Sequence, residues 1–226
     1  MFLRAIECGP LQANCYILAP SDNSDCLIID PGMEAADAVQ ALVTKQGLTP
    51  RAILATHGHF DHVADFAHLA DHYDVPAWIH SADQPLLRDP AGGVDPGLGA
   101  LLRSLLPDGL PAPKVLSWVD DQTELHLAGL DIAIIPAPGH TLGCVFYQVR
   151  DADTGTDLTF TGDVLFAGSI GRTDTPFADH AAMVRTLKGP VLSLPDSAQI
   201  LPGHGPASTM AIERRTNPFL QPSFLR

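Results

Sequence analysis

The strongest chemical signal in the sequence is a short segment with three histidines and one aspartate, Thr-His-Gly-His-Phe-Asp-His at residues 56–62. In an extended chain the side chains of residues i and i+2 point the same way, so His57 and His59 can share one metal ion. Where the chain then turns into a helix, Asp61 and His62 project to a neighbouring point and can hold a second ion. Imidazole with carboxylate suits zinc, iron or manganese, and the lack of cysteine in the segment argues against a closed structural zinc site.

Three later residues have settings that fit the same site. His140 lies in a Pro-Gly-His-Thr segment, Asp163 in Thr-Gly-Asp and His204 in Pro-Gly-His-Gly, and each segment follows a short apolar run. A glycine before each residue permits backbone angles and close approaches that other residues do not. Each segment alone is typical of an ordinary turn. Together with residues 56–62 they predict a metal site that strand ends assemble from distant parts of the chain.

The remaining histidines have no comparable setting: His68, His72, His80, His126 and His180. His68 and His72 lie four residues apart in a helix-like pattern, which permits a metal site. We interpret them instead as exposed surface residues.

The elements that must position the candidate ligands alternate between strand-like and helix-like patterns. Short apolar runs predict strands at residues 15–18, 27–29, 52–55, 77–79, 132–135, 145–149, 158–161 and 199–201. Apolar residues at helical spacing predict helices at residues 34–45, 63–72 and 180–187, the first of them ending at Gly47. Because strands and helices interleave from end to end, the sequence predicts one α/β domain over residues 1–226.

Residues 89–113 interrupt this alternation with many prolines and glycines. They predict a long loop, with one or two helical turns at residues 101–106. A loop of this length in a compact chain is usually functional or mobile. An active-site lid and a variable surface excursion are equally good interpretations.

Composition excludes several classes of function. Hydrophobic residues make up 46% of the 226 residues, so the chain can bury a core. The 13 Lys and Arg residues against 26 Asp and Glu residues give a formal charge of -13. Such a charge repels phosphate backbones and anionic lipid, so we expect neither a nucleic acid nor a membrane partner.

Targeting signals and cysteine usage favour a cytoplasmic protein. The first residues contain no basic segment followed by an apolar one, and no run is apolar enough to span a membrane. The cysteines are scattered and form no Cys-x-x-Cys pair: Cys8, Cys15, Cys26 and Cys144. We expect buried or half-buried free thiols rather than disulfides.

The ordered set of these segments resembles the metallo-β-lactamase-fold hydrolases, over nearly the whole chain. Residues 162–174 and 213–220 are similar to the short, single-domain glyoxalase II-like (hydroxyacylglutathione hydrolase-like) group. The resemblance implies a four-layer αββα sandwich with the site along one edge of two sheets. It assigns three ligands to each of two ions and one bridging carboxylate, namely His57, His59 and His140; Asp61, His62 and His204; and Asp163.

The chemistry implied is hydrolysis by a hydroxide that bridges two divalent ions. Coordination to metal lowers the pKa of water from about 15.7 toward about 7. We expect zinc, with iron or manganese in its place as the second choice, and assign the catalytic roles to Asp61 and Asp163. A thioester fits because a thiol with a pKa near about 8.5 departs without a strong general acid. S-lactoylglutathione or a related acyl-thiol is the expected small-molecule substrate, for a monomer or homodimer.

Two further residues are candidates near the site. Asp30, before Pro31 and Gly32, either orients a ligand histidine from behind or caps a turn. Arg172 either binds a substrate carboxylate or forms an ion pair with an acid such as Asp174.

Other functions on the same fold stay open. Longer glyoxalase II enzymes have a C-terminal helical domain, which we do not expect here, so the resemblance defines the thioester chemistry more closely than the thiol carrier. A persulfide dioxygenase would hold one iron at the positions of His57, His140 and Asp163. A lactamase or lactonase would use the same ligands. A non-catalytic binding protein would need none of them, so retention of every candidate ligand argues against it.

Overall fold

The computed structural model describes residues 1–120 and 124–225, in which the strands form two mixed six-stranded sheets and one short hairpin. In the first sheet the strands lie side by side in chain order: β1 (Phe2–Cys8), β2 (Ala13–Ala19), β3 (Asp25–Ile29), β4 (Thr49–Leu54), β5 (Ala77–Ile79) and β6 (Leu116–Trp118). β1 to β3 pair antiparallel, and β3 to β6 pair parallel.

The second sheet has the spatial order β14-β13-β10-β9-β8-β7. Its strands, together with those of the hairpin, are β7 (Glu124–Leu127), β8 (Leu130–Pro136), β9 (Val145–Arg150), β10 (Asp157–Gly162), β11 (Leu165–Phe166), β12 (Ser169–Ile170), β13 (Gln199–Pro202) and β14 (Ser208–Thr209). Within this sheet β10 and β13 pair parallel, and the other neighbours are antiparallel. The hairpin consists of β11 and β12.

Seven α-helices accompany the sheets: α1 (Ala36–Gln46), α2 (Phe60–Val63), α3 (Phe66–Tyr73), α4 (Gln84–Arg88), α5 (Pro96–Leu105), α6 (His180–Thr186) and α7 (Met210–Thr216), counted over the described ranges. Short 3-10 turns occupy Ser81–Asp83, Pro90–Gly93 and Pro218–Leu220, and a π-helical turn, Leu187–Val191, extends α6.

The two sheets pack face to face, with helices on their outer faces. β2 shows how one strand serves both sides, since side chains alternate along a strand. Its Cys15 and Ile17 join the core under α1 and α3, whereas Tyr16 and Leu18 join the core between the sheets. A third core packs α6 against the second sheet. The predicted αββα sandwich is confirmed.

Every predicted strand lies at an observed strand, but several strands were missed. β1 was not predicted because Arg4, Ala5 and Glu7 are exposed, so the strand has no continuous apolar run. The predicted helix over residues 63–72 is wrong as a single element. The chain breaks between α2 and α3, because the backbone N–H of Asp65 donates to the carbonyl of Pro31 and its carboxylate accepts from the N–H of Ala36.

The loop predicted over residues 89–113 is too long in its first half: the predicted helical turns at residues 101–106 lie largely within a longer helix, α5. Asp95 caps α5 by accepting hydrogen bonds from the backbone N–H groups of Gly97 and Leu98. The apolar side of α5 then packs Leu102 against Phe60, with Leu98 beside it. The glycines and prolines of this segment favoured a loop in the prediction, although proline is compatible with the first turn of a helix. We call residues 89–106 the helical insert.

Two smaller expectations also meet the structure. All four cysteines are buried free thiols, as predicted. Within the described residues, none of the helices has the length and apolar character needed to cross a membrane.

Candidate metal centre

The predicted ligands follow strands of both sheets and meet at one edge of the sandwich, Asp61 and His62 in the helix α2 and the other five on loops. His57 and His59 follow β4 of the first sheet, whereas His140, Asp163 and His204 follow β8, β10 and β13 of the second. Hydrogen bonds join the two sheets here. The backbone N–H of Asn14 donates to the carbonyl of Gly203 at 2.7 Å, and the side chain of Asn14 donates to the carbonyls of Pro202 and Gly205.

Three histidines form a first ligand group. The Nδ1 of His59 lies 2.8 Å from the Nε2 of His140, and the ring centroid of His57 lies 5.0 and 5.1 Å from theirs. One ligand atom from each of the three residues fits within a mutual distance of 4.8 Å. This spacing suits three nitrogen ligands around one ion.

A second group lies beside the first. The Nε2 of His204 is 3.2 Å from the Oδ2 of Asp61 and 3.2 Å from the Nε2 of His62. Asp163 stands between the groups: its Oδ1 is 3.3 Å from the Nε2 of His62, and its Oδ2 is 3.5 Å from the Nε2 of both His140 and His204. The structure therefore brings all seven predicted ligands together.

Hydrogen bonds behind the first group determine which nitrogen of each ring faces the centre. The Nε2 of His59 donates to the carbonyl of Gly93 at 3.1 Å, which leaves Nδ1 facing inward. The Nδ1 of His140 donates to the carbonyl of Arg172 at 2.9 Å, which leaves Nε2 inward. The Nδ1 of His57 lies 3.1 Å from the hydroxyl of Thr56.

Asp30 lies behind both groups and is fully buried. Its carboxylate accepts from the backbone N–H and the hydroxyl of Thr56, each at 2.7 Å, and from the Nδ1 of His62 at 3.2 Å. Because the Thr56 hydroxyl donates to Asp30, it accepts from His57. One buried carboxylate thus orients a histidine of each group, and the interpretation of Asp30 as a histidine-orienting residue agrees with this geometry.

Two buried polar atoms test whether a metal fits. The Nε2 of His57 and the Oδ1 of Asp163 have no hydrogen-bond partner among the described residues, although both point into the centre. A buried polar atom without a partner is costly. An ion at the centre would accept both lone pairs, so the residues present fit a metal site.

The charge state of the ligands fits as well, because metal ligands must be deprotonated. Burial, reinforced by the neighbouring histidines, holds the pKa of His57 well below its usual value and lowers that of His59 to about 3. Burial favours the neutral form of Asp163, but its histidine neighbours hold its pKa well below the usual range. Burial lowers the pKa of His62, yet Asp163 and Asp61 raise it well above normal. The two carboxylates therefore favour a positive charge near His62, which a metal ion would supply.

The centre opens on two adjoining cavities of about 140 and 310 Å³. Their shared residues are Leu11, Asp61, His140, Asp163 and Arg172. Phe60, Val94 and Leu98 add an apolar wall from the side of the helical insert to the smaller one. The guanidinium of Arg172 is exposed and donates to both carboxylate oxygens of Asp174, at 2.7 and 3.1 Å.

Sequence reasoning missed the residues that hold the ligands from outside. The carbonyls of Gly93 and Gln12, which face His59 and His204, leave no signal because any residue has a carbonyl. Asp83, a fully buried carboxylate beside the ligand loops, was also missed. His68 and His72 are exposed, as expected.

The chain is similar to known proteins over nearly its whole length. The family described as the Metallo-beta-lactamase superfamily matches residues 8–204. The hydroxyacylglutathione hydrolase GloC of Haemophilus influenzae is 33% identical over 223 residues, or 97% of this chain and 98% of that protein. The BLEG-1 B3 metallo-beta-lactamase superimposes with a TM-score of 0.82 at 32% identity, covering 97% of this chain and 100% of that one. A protein named TTHA1623, solved in a di-iron-bound form, gives 0.76 at 36% identity, covering 96% and 100%.

Proposed function

Because this chain belongs to the metallo-beta-lactamase superfamily, we propose that it is a metal-dependent hydrolase with two divalent ions. The observation that carries the proposal is the pair of adjacent three-residue ligand groups with Asp163 between them. The first ion would be held by His57, His59 and His140, and the second by Asp61, His62 and His204. A metal pair supplies a water of lowered pKa and polarises a carbonyl.

The chain's own residues prepare the site for that chemistry. Thr56 and Asp30 accept hydrogen bonds from the outer nitrogens of His57 and His62, which places the proton of each neutral ring there and leaves the inward nitrogen for a metal ion. Asp61 and Asp163 stay ionised because the surrounding histidines lower the pKa of each carboxyl. We therefore assign them the catalytic carboxylate roles, as ligands that set the charge where water and substrate meet.

We propose a thioester as the substrate, in the manner of a glyoxalase II. Apart from the ligand groups, the ionisable side chains among the described residues lining the two cavities are Asp95 and Arg172. No tyrosine, lysine or cysteine lines these two described cavities, so a leaving group finds no obvious proton donor. A thiolate leaves without one, whereas an amine does not. The similarity to GloC supports S-lactoylglutathione or a related acyl-thiol.

Zinc is our first choice for both ions, since nitrogen and carboxylate ligands suit it. Iron is the second choice, supported by the di-iron form of TTHA1623. The acidic composition supports a small-molecule substrate rather than nucleic acid or a membrane.

The test combines metal analysis with turnover of S-lactoylglutathione on the same purified protein. We expect about two ions per chain and thioester hydrolysis. His59→Ala should lose an ion and activity, whereas His72→Ala, which alters an exposed histidine, should retain both. A wild-type protein that binds no metal, or a fully active His59→Ala variant, would refute the proposal.

Hydrolysis of a β-lactam is a second candidate, favoured by the 32% identity with the BLEG-1 B3 metallo-beta-lactamase over nearly the whole chain. Hydrolysis of a chromogenic cephalosporin in the same assay, at rates above those for the thioester, would favour it. Oxygen uptake with glutathione persulfide and a single iron would instead indicate a persulfide dioxygenase.

A further inference from the structure

A buried carboxylate outside both ligand groups connects two of the ligand loops. Asp83 lies at the end of the 3-10 turn that follows β5 and has an exposed fraction of 0%. Its Oδ2 accepts from the backbone N–H of Gly58 at 2.8 Å and from the hydroxyl of Thr141 at 2.6 Å. Its Oδ1 accepts from the backbone N–H of Gly143 at 2.8 Å. All three donors belong to loops that carry histidines.

These donors hold the first ligand group alone. Gly58 lies between His57 and His59, and Thr141 directly follows His140. Asp83 accepts no hydrogen bond from Asp61, His62 or His204 of the second group. The carboxylate therefore fixes the distance between the two loops that supply the first group.

Packing at both glycines shows how closely Asp83 fits. A Cβ atom placed on Gly58 would lie 2.9 Å from the Cβ of Asp83, and one on Gly143 would lie 2.6 Å from its Cγ. Real Cβ atoms essentially never come so close to other heavy atoms. The glycine between His57 and His59 is thus explained by the Cβ and backbone carbonyl of Asp83 and the Cβ of Leu86, which leave no room for a side chain at that position.

We propose that Asp83 is a positioning residue that sets the metal affinity of the first ligand group without touching the metal. The inference rests on the proposed metal-dependent function. Groups that hold a ligand from behind commonly change metal affinity by about 10- to 100-fold when they are altered. Asp83 acts one step further out, on two backbone N–H groups and one side-chain hydroxyl of the ligand loops, and these loops carry all three histidines of the first group.

The experiment is Asp83→Asn in the full-length protein, stripped of metal and titrated with Co²⁺ and Zn²⁺. Asparagine keeps the size of the side chain but presents an NH₂ group to at least one of the three donors. We expect one ion to bind about 10- to 100-fold more weakly while the other keeps its affinity. The absorption spectrum of the first-group Co²⁺ should also change, which a general loss of stability would not cause.

Glu213→Gln is the matched control. Glu213 is also buried and accepts from Gly168, Ser208 and Asn217, none of which neighbours a histidine of the first group. The Glu213→Gln variant should have a lower unfolding temperature and an unchanged metal affinity at the first group. If Asp83→Asn does not fold, Thr141→Val removes one of the three donors alone and should weaken the same ion by a smaller factor.

The outcomes separate this inference from the proposed function. If the wild-type protein binds no metal, the proposed function fails. If the wild-type protein and Asp83→Asn both bind two ions with equal affinity and equal Co²⁺ spectra, only the role of Asp83 is refuted. Loss of affinity at the second group instead of the first would refute it as well.

Discussion

Replacing Asp30 by asparagine should disable the second ligand group through the tautomer of one histidine. The NH₂ group of asparagine would face the Nδ1 of His62, where the carboxylate now accepts a hydrogen bond at 3.2 Å. His62 can relieve this conflict by moving its proton to Nε2. That proton would then lie in the centre, where Nε2 approaches Asp163 at 3.3 Å and should bind an ion.

The magnitude follows from the bonds that Asp30 makes. A hydrogen bond to a charged group contributes about 1.5–3 kcal/mol, and each 1.4 kcal/mol is about tenfold in affinity. Loss of the Asp30–His62 bond should therefore weaken the second ion by roughly 10- to 100-fold. The first ion should bind more weakly as well, because the Thr56 hydroxyl that orients His57 donates to the same Oδ2. The bond from the backbone N–H of Thr56 to Oδ1, at 2.7 Å, can persist, so the fold should survive.

Competitive titration with a chromophoric chelator measures this loss. Asp25→Asn is the control, because Asp25 begins the strand β3 that leads to Asp30, and its side chain forms only an exposed ion pair with Arg51. Two ions bound by Asp30→Asn with wild-type affinity would show that the tautomer argument is wrong.

Three further predictions concern pH, the insert and the substrate groove. The metal-free protein should lose about 1.4 kcal/mol of unfolding free energy per pH unit for each of His57 and His59 as pH falls from about 6.5 toward 3. Burial lowers the pKa of both rings, that of His59 to about 3, so they bind protons in this range only after unfolding; chemical denaturation at several pH values measures the loss. Gly93→Ala should lower the free energy of unfolding by about 1–3 kcal/mol and weaken binding of the first ion, since the new Cβ would lie 2.5 Å from Leu86 and 3.1 Å from the ring of His59. A melting curve and a metal titration that both match the wild type would contradict this. Arg172→Ala should change the KM for S-lactoylglutathione by less than about fivefold, because an exposed guanidinium already paired with Asp174 contributes about 1 kcal/mol or less; steady-state kinetics would expose a larger role.

The ligands themselves could be predicted from the sequence, because histidine and aspartate at strand ends are recognisable as metal ligands by their residue type. His57, His59, Asp61 and His62 are close in the chain, and a strand followed by a helix brings their side chains to one place. The groups that aim them could not be found the same way. The carbonyl of Gly93 gives no sequence signal, because every residue has one. Asp83 is separated from Thr141 by 58 residues, so only the tertiary structure brings these two together.

The helical insert shows a different reason for failure. Its glycines and prolines are locally consistent with a loop, and its helix depends on burial of Leu102 against Phe60. Local preference thus predicted only one or two helical turns at residues 101–106, because the longer helix depends on packing against another part of the chain. The same insert places the Gly93 carbonyl against His59, so it cannot swing away as a free lid without releasing that histidine.

The origin of the ligands in both sheets has a consequence for stability. A pair of ions would act as a thermodynamic staple, since His57 and His59 come from one sheet and His140, Asp163 and His204 from the other. Each ion bound only by the folded chain stabilises it by about 4 kcal/mol when its free concentration is about 1,000 times its dissociation constant. The free metal concentration would thereby set the free energy of unfolding, so chelation would destabilise the fold as well as stop the reaction.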